Sequence, residues 1–334
     1  MSDRVASETE LIDVYLAPLA AGSPGAFGLK DDAALIKTEP GFDLVVSTDP
    51  VIAGVHFFGD DAPGDVAWKA LAVNVSDLAA KGAEPIAYTM ALAFPEAPRR
   101  DWMAAFCAGL LEAQTSFGCK LIGGDTDRTP GPLSIGITAF GKVPHGQIVK
   151  RNSAQIGDHV FVTGTVGDSA LGLLLRRPTP PAWREQLGED HSRYLLARYL
   201  RPLPRLALGP VLRHCASAAL DVSDGLLKDA GRLAAGAALK IDSQTIPLSP
   251  AATAAINRQP ELFESLVTGG DDFEILCAVN PSKCDVFKQQ ASQARVPITE
   301  IGVLTRGSGV TLVLPDGKQL TPVRSGYDHF RTKE

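Results

Sequence analysis

The 334-residue chain has no cysteine pair at metal or redox spacing. Its five cysteines, Cys107, Cys119, Cys215, Cys277 and Cys284, are scattered and odd in number. That excludes a zinc ribbon or a disulfide framework and fits buried thiols in a reducing compartment. No apolar run approaches the ~20 residues needed to span a bilayer. The opening MSDRVASETE is polar and acidic, unlike a signal peptide, so a cytoplasmic protein with no membrane partner is expected. Basic blocks and basic-aromatic stripes are missing too. With 32 basic against 38 acidic residues and a net charge of −6, nucleic acid is not expected as a partner. There is no GxxxxGK[ST] loop, no GxGxxG after a strand, no HRD or DFG set and no GxSxG elbow. Repeats of short fixed period are absent as well.

What is present is a globular composition, 45% hydrophobic and 21% charged, long enough for two domains. Nine aspartates fall into six short segments: LKDDAAL (Asp31, Asp32), STDPVIAGVHF (Asp49), NVSDLAAKGAEP (Asp77), LIGGDTD (Asp125), ALDVSDGLL (Asp221, Asp224) and GGDDFEI (Asp271, Asp272). Most stand beside Gly, Ser, Thr or another Asp with an apolar run on one side. Hard cations such as Mg2+ take carboxylate oxygens and waters, so this pattern points to an acidic metal-phosphate site.

The periodicity places these segments on elements. Asp43–Thr48 reads as a buried strand delivering Asp49 at its end. A helix over Asp65–Lys81, stopped by Gly82, carries Asn74 and Asp77 three apart on one polar face. Ile86–Phe94 reads as a strand, Asp101–Phe117 as a helix ended by Gly118, and Lys120–Ile122 as a strand running into Gly123-Gly124-Asp125. Ser134–Val143 completes this part as a strand. The interleaving has no clean βαβ rhythm, which favours an α+β layered domain. Composition turns polar over Pro144–Gly157, the natural boundary between domains at 1–145 and 150–334. Beyond it come the strand His159–Thr163, an exposed loop over Pro178–Asp190 and helical sequence over Leu195–His214, broken at Pro202 and Pro204. The strand Ala218–Val222, a helix to Ala235, the strand Phe273–Val279 and a helix from Pro281 follow.

Each motif has a structural alternative. Thr163–Asp168 (TGTVGD) could cradle a phosphate or be an ordinary strand–helix turn. Ser223 and Asp224 could be helix caps. Asp221 and Asp125 are harder to explain as caps, because each ends an apolar run where an unpaired charge is costly. The doublets Asp31-Asp32 and Asp271-Asp272 repel internally, which favours a cation partner. His56 is compatible with either a structural or a binding role.

Taken together, KDDAAL, STDPVIAGVHF, NVSDLAAKGAEP, GGDT, KRNSAQIGD, VTGTVGDSALGL, DVSDGL, GGDDFEI and GYDHF resemble bacterial thiamine-monophosphate kinase, in this order from about Asp31 to Phe330. The resemblance implies an aminoimidazole ribonucleotide synthetase-like α+β fold. Its N-terminal mixed α/β sheet domain would dimerise through the sheet, and a C-terminal α/β domain would complete the cleft. It implies transfer of the ATP γ-phosphoryl group to thiamine monophosphate. By similarity Asp31, Ser47, Thr48, Asp49, Asp77, Asp125, Asp221 and Asp224 would hold several Mg2+ ions. Gly124, Asp125, Arg151 and Ser223 would contact ATP, and His56, Asp271 and Tyr327 the thiamine substrate. Asp32 and Asp272 receive no role.

Three departures from the family pattern stand out: Lys30 before the Asp31-Asp32 doublet in place of Gly, Cys107 in place of a Tyr, and Asp271 in place of a Glu. None removes an implied metal ligand. The alternatives are a sister enzyme acting on another acceptor or a non-catalytic Mg-nucleotide-binding protein. Selenophosphate synthetase would want an N-terminal Cys and the hydrogenase maturation factor a C-terminal one. Here the first is Cys107 and the last Cys284.

Overall fold

The computed structural model describes residues 3–320 and 326–327. They form two compact units. The first contains the described residues up to Leu78 together with Ala83–Gln147; the second contains Ala79–Gly82 and those from Ile148 onward.

The first unit opens with the single turn α1 (Glu8–Glu10), where the Ser7 hydroxyl accepts the Glu10 N–H at 3.1 Å. It continues with β1 (Phe42–Ile52), α2 (Pro63–Ala80), β2 (Glu84–Phe94), α3 (Arg100–Phe117), β3 (Lys120–Arg128) and β4 (Ser134–Pro144). Gly118 ends α3 in the left-handed region (φ 74°) and donates its N–H to Gln114, as the sequence predicts. The strands lie in the order β1-β4-β2-β3, with β2 and β3 parallel and the other pairs antiparallel. Strict alternation along β4 buries Ile135, Ile137 and Ala139. Met103, Phe106 and Leu110 of α3 and Leu71, Val75 and Leu78 of α2 are also fully buried. A Cβ on Gly109 would lie 2.4 Å from the Gly64 Cα, so this close approach of α3 to the start of α2 requires glycine. The other face of β1 stays open: Phe42, Leu44 and Val46 are 39%, 44% and 54% exposed.

The second unit contains β5 (His159–Thr163), α4 (Asp168–Arg176), α5 (Arg184–Leu187), α6 (Glu189–Leu200), α7 (Gly209–Cys215), β6 (Ala216–Asp221), α8 (Leu226–Ala234) and β7 (Ala238–Asp242). Then come α9 (Pro250–Arg258), α10 (Leu262–Thr268), β8 (Ile275–Val279), α11 (Cys284–Gln293), β9 (Ile298–Thr305), β10 (Gly309–Val313) and β11 (Gln319–Leu320). The sheet order is β11-β10-β7-β9-β5-β8-β6. Val160 and Val162 of β5 face Leu226, Ala230 and Leu233 of α8, while Phe161 packs on the other face with Leu212 of α7 and Phe287 of α11. A third cluster gathers Leu171, Trp183, Leu187 and Leu266. It explains why α5 stands where the sequence reads as an exposed loop: Trp183 and Leu187 are buried.

Two strands outrun their predicted ends. β1 continues past Asp49 to Ile52, paired with β4 as far as Ser134, and β3 continues through Gly123-Gly124-Asp125 to Arg128, paired with β2. Neighbouring strands supply the hydrogen bonds that the local residues do not encourage. Among the described residues no helix is long and apolar enough to cross a membrane.

The second unit also buries charge. Glu274, wholly inaccessible, accepts from Thr163 Oγ1 at 2.6 Å, Arg198 Nη2 at 2.9 Å, Arg205 Nε at 2.6 Å and Arg205 Nη2 at 2.5 Å. Glu274→Ala strands two guanidinium groups and should cost about 3–5 kcal/mol. Thermal denaturation should show a lower transition for this unit; an unchanged melting temperature would mean the arginines find other partners.

Candidate active site

In the first unit the implied ligands fall into two groups. The first is centred on β1 and α2. Ser47 Oγ donates to Asp77 Oδ2 at 2.5 Å, joining the strand to the helix. One turn earlier on α2, Asn74 is fully buried; its Oδ1 accepts the Asp49 N–H at 2.8 Å and its Nδ2 donates to the Asp49 carbonyl at 3.2 Å. That two-point clasp fixes the Asp49 backbone beside Asp77. Thr48, on the opposite face, donates to the Ile137 carbonyl at 3.1 Å and lies 3.0 Å from the Thr138 hydroxyl.

The second group surrounds a cavity of about 370 Å3. Asp31, Asp32, Gly124, Asp125 and Glu8 line it, so four carboxylates border one hollow. Asp125 Oδ1 accepts the Thr126 N–H at 2.9 Å, and Thr126 Oγ1 donates to Glu8 at 2.8 Å. Gly124 is required by close approach: an ideal Cβ there would lie 1.9 Å from the Met90 carbonyl oxygen. Asp49 and Asp125 stand on strands at opposite edges of the four-stranded sheet. Three strand spacings put them roughly 14 Å apart. Among the described residues no group of three or more His, Cys, Asp or Glu side chains could hold a single ion.

His56 sits in the turn after β1, where its Nδ1 accepts the Ile52 N–H at 3.0 Å.

In the second unit Asp221 ends β6 and is 7% exposed, in register with Ile275. Ser223 and Asp224 follow, and both of their N–H groups donate to the Asp229 carboxylate, at 3.1 and 2.9 Å. Burial raises the pKa of Asp229, opposed by the Asp224 N–H and by Arg232. Asp224 is paired with Lys228 at 2.8 Å and Arg232 at 2.7 Å, so it would have to release two cations to take a metal. Asp271 and Tyr327 are tied to the same turn: Asp271 N–H donates to the Ser223 carbonyl at 2.8 Å and Tyr327 N–H to the Asp224 carbonyl at 2.9 Å. Burial, then the charges of Asp271 and Asp224, push the Tyr327 phenol pKa up. The structure thus gathers Ser223, Asp224, Asp271 and Tyr327. Arg151 is exposed, on a loop fastened by Ser153, whose Oγ donates to the Ser217 carbonyl at 2.6 Å.

The phosphate-cradle reading of Thr163–Asp168 gives way to a different arrangement. The Gly167 and Ser169 N–H groups at the start of α4 donate to Asp272, at 2.8 and 3.3 Å. Glu8, Asp272, Asp229, Lys228 and Arg232 are the site neighbours that sequence reasoning missed. Only the Asp271-Asp272 doublet carried any signal for them.

Known proteins bear on this geometry at three levels. Residues 30–143 match the family described as AIR synthase related protein, N-terminal domain. Over 328 residues the chain is 42% identical to the thiamine-monophosphate kinase of Caulobacter vibrioides, covering 97% of this chain and 91% of that one. The chain belongs to the thiamine-monophosphate kinase family. Its fold is also that of solved members. The thiamine-monophosphate kinase from Stenotrophomonas maltophilia K279a superposes with a TM-score of 0.75 at 38% identity, covering 87% of this chain and 90% of that one. AaThiL complexed with AMPPCP and TMP gives 0.75 at 30% identity, covering 97% of each chain.

The departures from the family pattern acquire physical settings. Lys30 lies at the surface, 3.8 Å from Asp13. Cys107 is half-buried on α3, and burial pushes its thiol up to about 12, so it is a packing group rather than a nucleophile. Asp271 adopts a left-handed backbone (φ 62°), which Asp tolerates better than most residues.

Gly124→Ala should force β2 and β3 apart beside the four-carboxylate cavity, at a cost of about 1–3 kcal/mol. Urea unfolding measures it; a variant as stable as the parent would mean the strands relax there freely.

Proposed function

We propose that the protein transfers the γ-phosphoryl group of ATP to the phosphate of thiamine monophosphate, forming thiamine diphosphate and ADP with Mg2+. The observation that carries this reading is the cavity bordered by Glu8, Asp31, Asp32 and Asp125, beside the close approach of β3 to β2 that requires Gly124. Four carboxylates around one hollow suit a divalent cation and disfavour a bare polyanion. The full-length likeness to thiamine-monophosphate kinases, and a solved relative complexed with AMPPCP and TMP, support the choice of substrates.

The donor set fits Mg2+. This ion uses one or two protein carboxylates and completes its shell with waters and substrate phosphates. Paired ligands such as Ser47 with Asp77 therefore suffice where a closed cage is absent. Asp31, Ser47, Thr48, Asp49, Asp77, Asp125 and Asp221 would hold the ions, with Asp224 joining once freed from Lys228 and Arg232. When bound, Mg2+ supplies charge neutralisation and alignment of the phosphate oxygens for in-line transfer. Gly124, Asp125, Arg151 and Ser223 would meet ATP. His56, with Nδ1 committed to its own turn, would approach the thiamine substrate through Nε2. Asp271 offers charge to the cationic thiazolium and Tyr327 a ring face. No side chain need act as general base, because the acceptor phosphate has a second pKa of about 6 and is largely deprotonated at pH 7.

The open apolar face of β1 supports a homodimer formed through the sheet: Phe42, Leu44 and Val46 are exposed together.

Purified protein with MgATP and thiamine monophosphate should yield thiamine diphosphate, followed by chromatography. Asp49→Asn and Asp125→Asn should abolish turnover without unfolding the chain. A folded parent that makes no product would sink the kinase assignment and leave a sister acceptor or a nucleotide-binding role. Near-normal rates in the variants would remove those residues from the metal site.

A further inference from the structure

Residues 270–274 are held in a conformation their side chains do not favour. Gly270, Asp271 and Phe273 all have positive φ, at 75°, 62° and 51°. For Phe this is a real outlier, and such strain persists only where the surroundings over-determine it. Three backbone hydrogen bonds fasten the segment to the turn after β6: Asp271 N–H to Ser223 O at 2.8 Å, Phe273 N–H to Val222 O at 2.9 Å, and Val222 N–H to Glu274 O at 2.7 Å. A Cβ on Gly270 would lie 2.3 Å from the Ser223 carbonyl oxygen, so the two stretches are in close contact.

Two buried carboxylates anchor it from the other side. Asp272, 1% exposed, accepts the Gly167 and Ser169 N–H groups at the start of α4. Glu274 is gripped by Thr163, Arg198 and Arg205, and Arg198 also donates to the Asp272 carbonyl at 3.2 Å. Asp271, immediately before the first of these anchors, is only partly buried, whereas Asp272, Phe273 and Glu274 lie in the core. If the Asp272 anchor is loosened, Asp271 and Phe273 can relax toward ordinary φ, and the Asp271 carboxylate moves.

We infer that Asp272 is a positioning residue: its buried carboxylate, tied to the start of α4, holds Asp271 in the left-handed geometry that presents it to the acceptor substrate. The inference rests on the proposed kinase reading and adds to it. Asp272 never touches substrate. Its loss therefore acts only through Asp271, which a general stabilising role would not require.

A double-mutant cycle of Asp271→Asn and Asp272→Asn tests it, reading KM for thiamine monophosphate, KM for MgATP and kcat, with melting curves confirming folded protein. Asp272→Asn alone should raise the acceptor KM about tenfold, as expected for a displaced binding group. The MgATP KM should stay within about twofold, the spread of ordinary additivity. In the Asp271→Asn background the second change should add nothing to the acceptor KM. Should Asp272→Asn fold poorly, Asp272→Ser, which keeps one acceptor for the Gly167 N–H, takes its place. Effects that multiply in the double variant, or an MgATP KM that rises in parallel, would overturn the inference while leaving the kinase reading intact. A folded parent that neither turns over nor binds thiamine monophosphate overturns both.

Discussion

A carboxylate taken out of water must be met by hydrogen-bond donors or by a cation, and this requirement sorts the acidic residues of the chain. In the second unit the donors come from the protein. Asp158 receives the Gln155 N–H and the Ser217 hydroxyl, Asp168 the hydroxyls of Thr165, Tyr194 and Ser249, and Glu274 two arginines and Thr163. Those contacts tie loops to helices and leave a rigid frame. In the first unit, Asp31, Asp32 and Asp125 instead stay exposed around a hollow at the protein surface, free of that desolvation cost and open to water or a cation. The same residue type thus builds the scaffold in one place and, in another, the lining proposed to take the metal.

The acidic lining fits the chemistry proposed for it. Two polyanions must meet, and their mutual repulsion has to be neutralised for the oxygens to come into line. Paired carboxylates recruit divalent ions, and the ions in turn recruit phosphates. Two fully buried groups fix the backbone of the proposed ligands: Asn74 clasps Asp49 from two sides, and Asp229 gathers the N–H groups of Ser223 and Asp224.

Much of this was legible in the sequence where signals are local. Gly118 stops α3 because the left-handed turn needs glycine, and the 3.6-residue stripe of α2 is plain. Strand lengths were not, since β1 beyond Asp49 and β3 through Gly123-Gly124-Asp125 are extended by pairing with distant neighbours. β7, β9, β10, β11, α9 and α10 carry no clear local signal, because short elements with mixed patterns depend on where they pack. The implied ligands could be named from motifs, but their division into two edges of one sheet follows from strand order alone. The distinction between Asp271 and Asp272 was equally out of reach: adjacent and chemically identical, they are separated only by a backbone at φ 62° and by the start of a helix about a hundred residues away in sequence.

On the proposed reading, this acidic site reaches phosphate only through a divalent ion. Calorimetric titration with the ATP analogue AMPPCP, once with Mg2+ and once with EDTA, tests it most directly. Binding in Mg2+ and its loss in EDTA are expected. Equal affinity in both would mean that the protein grips the phosphates with its own groups, and that the aspartates are not there to hold metal.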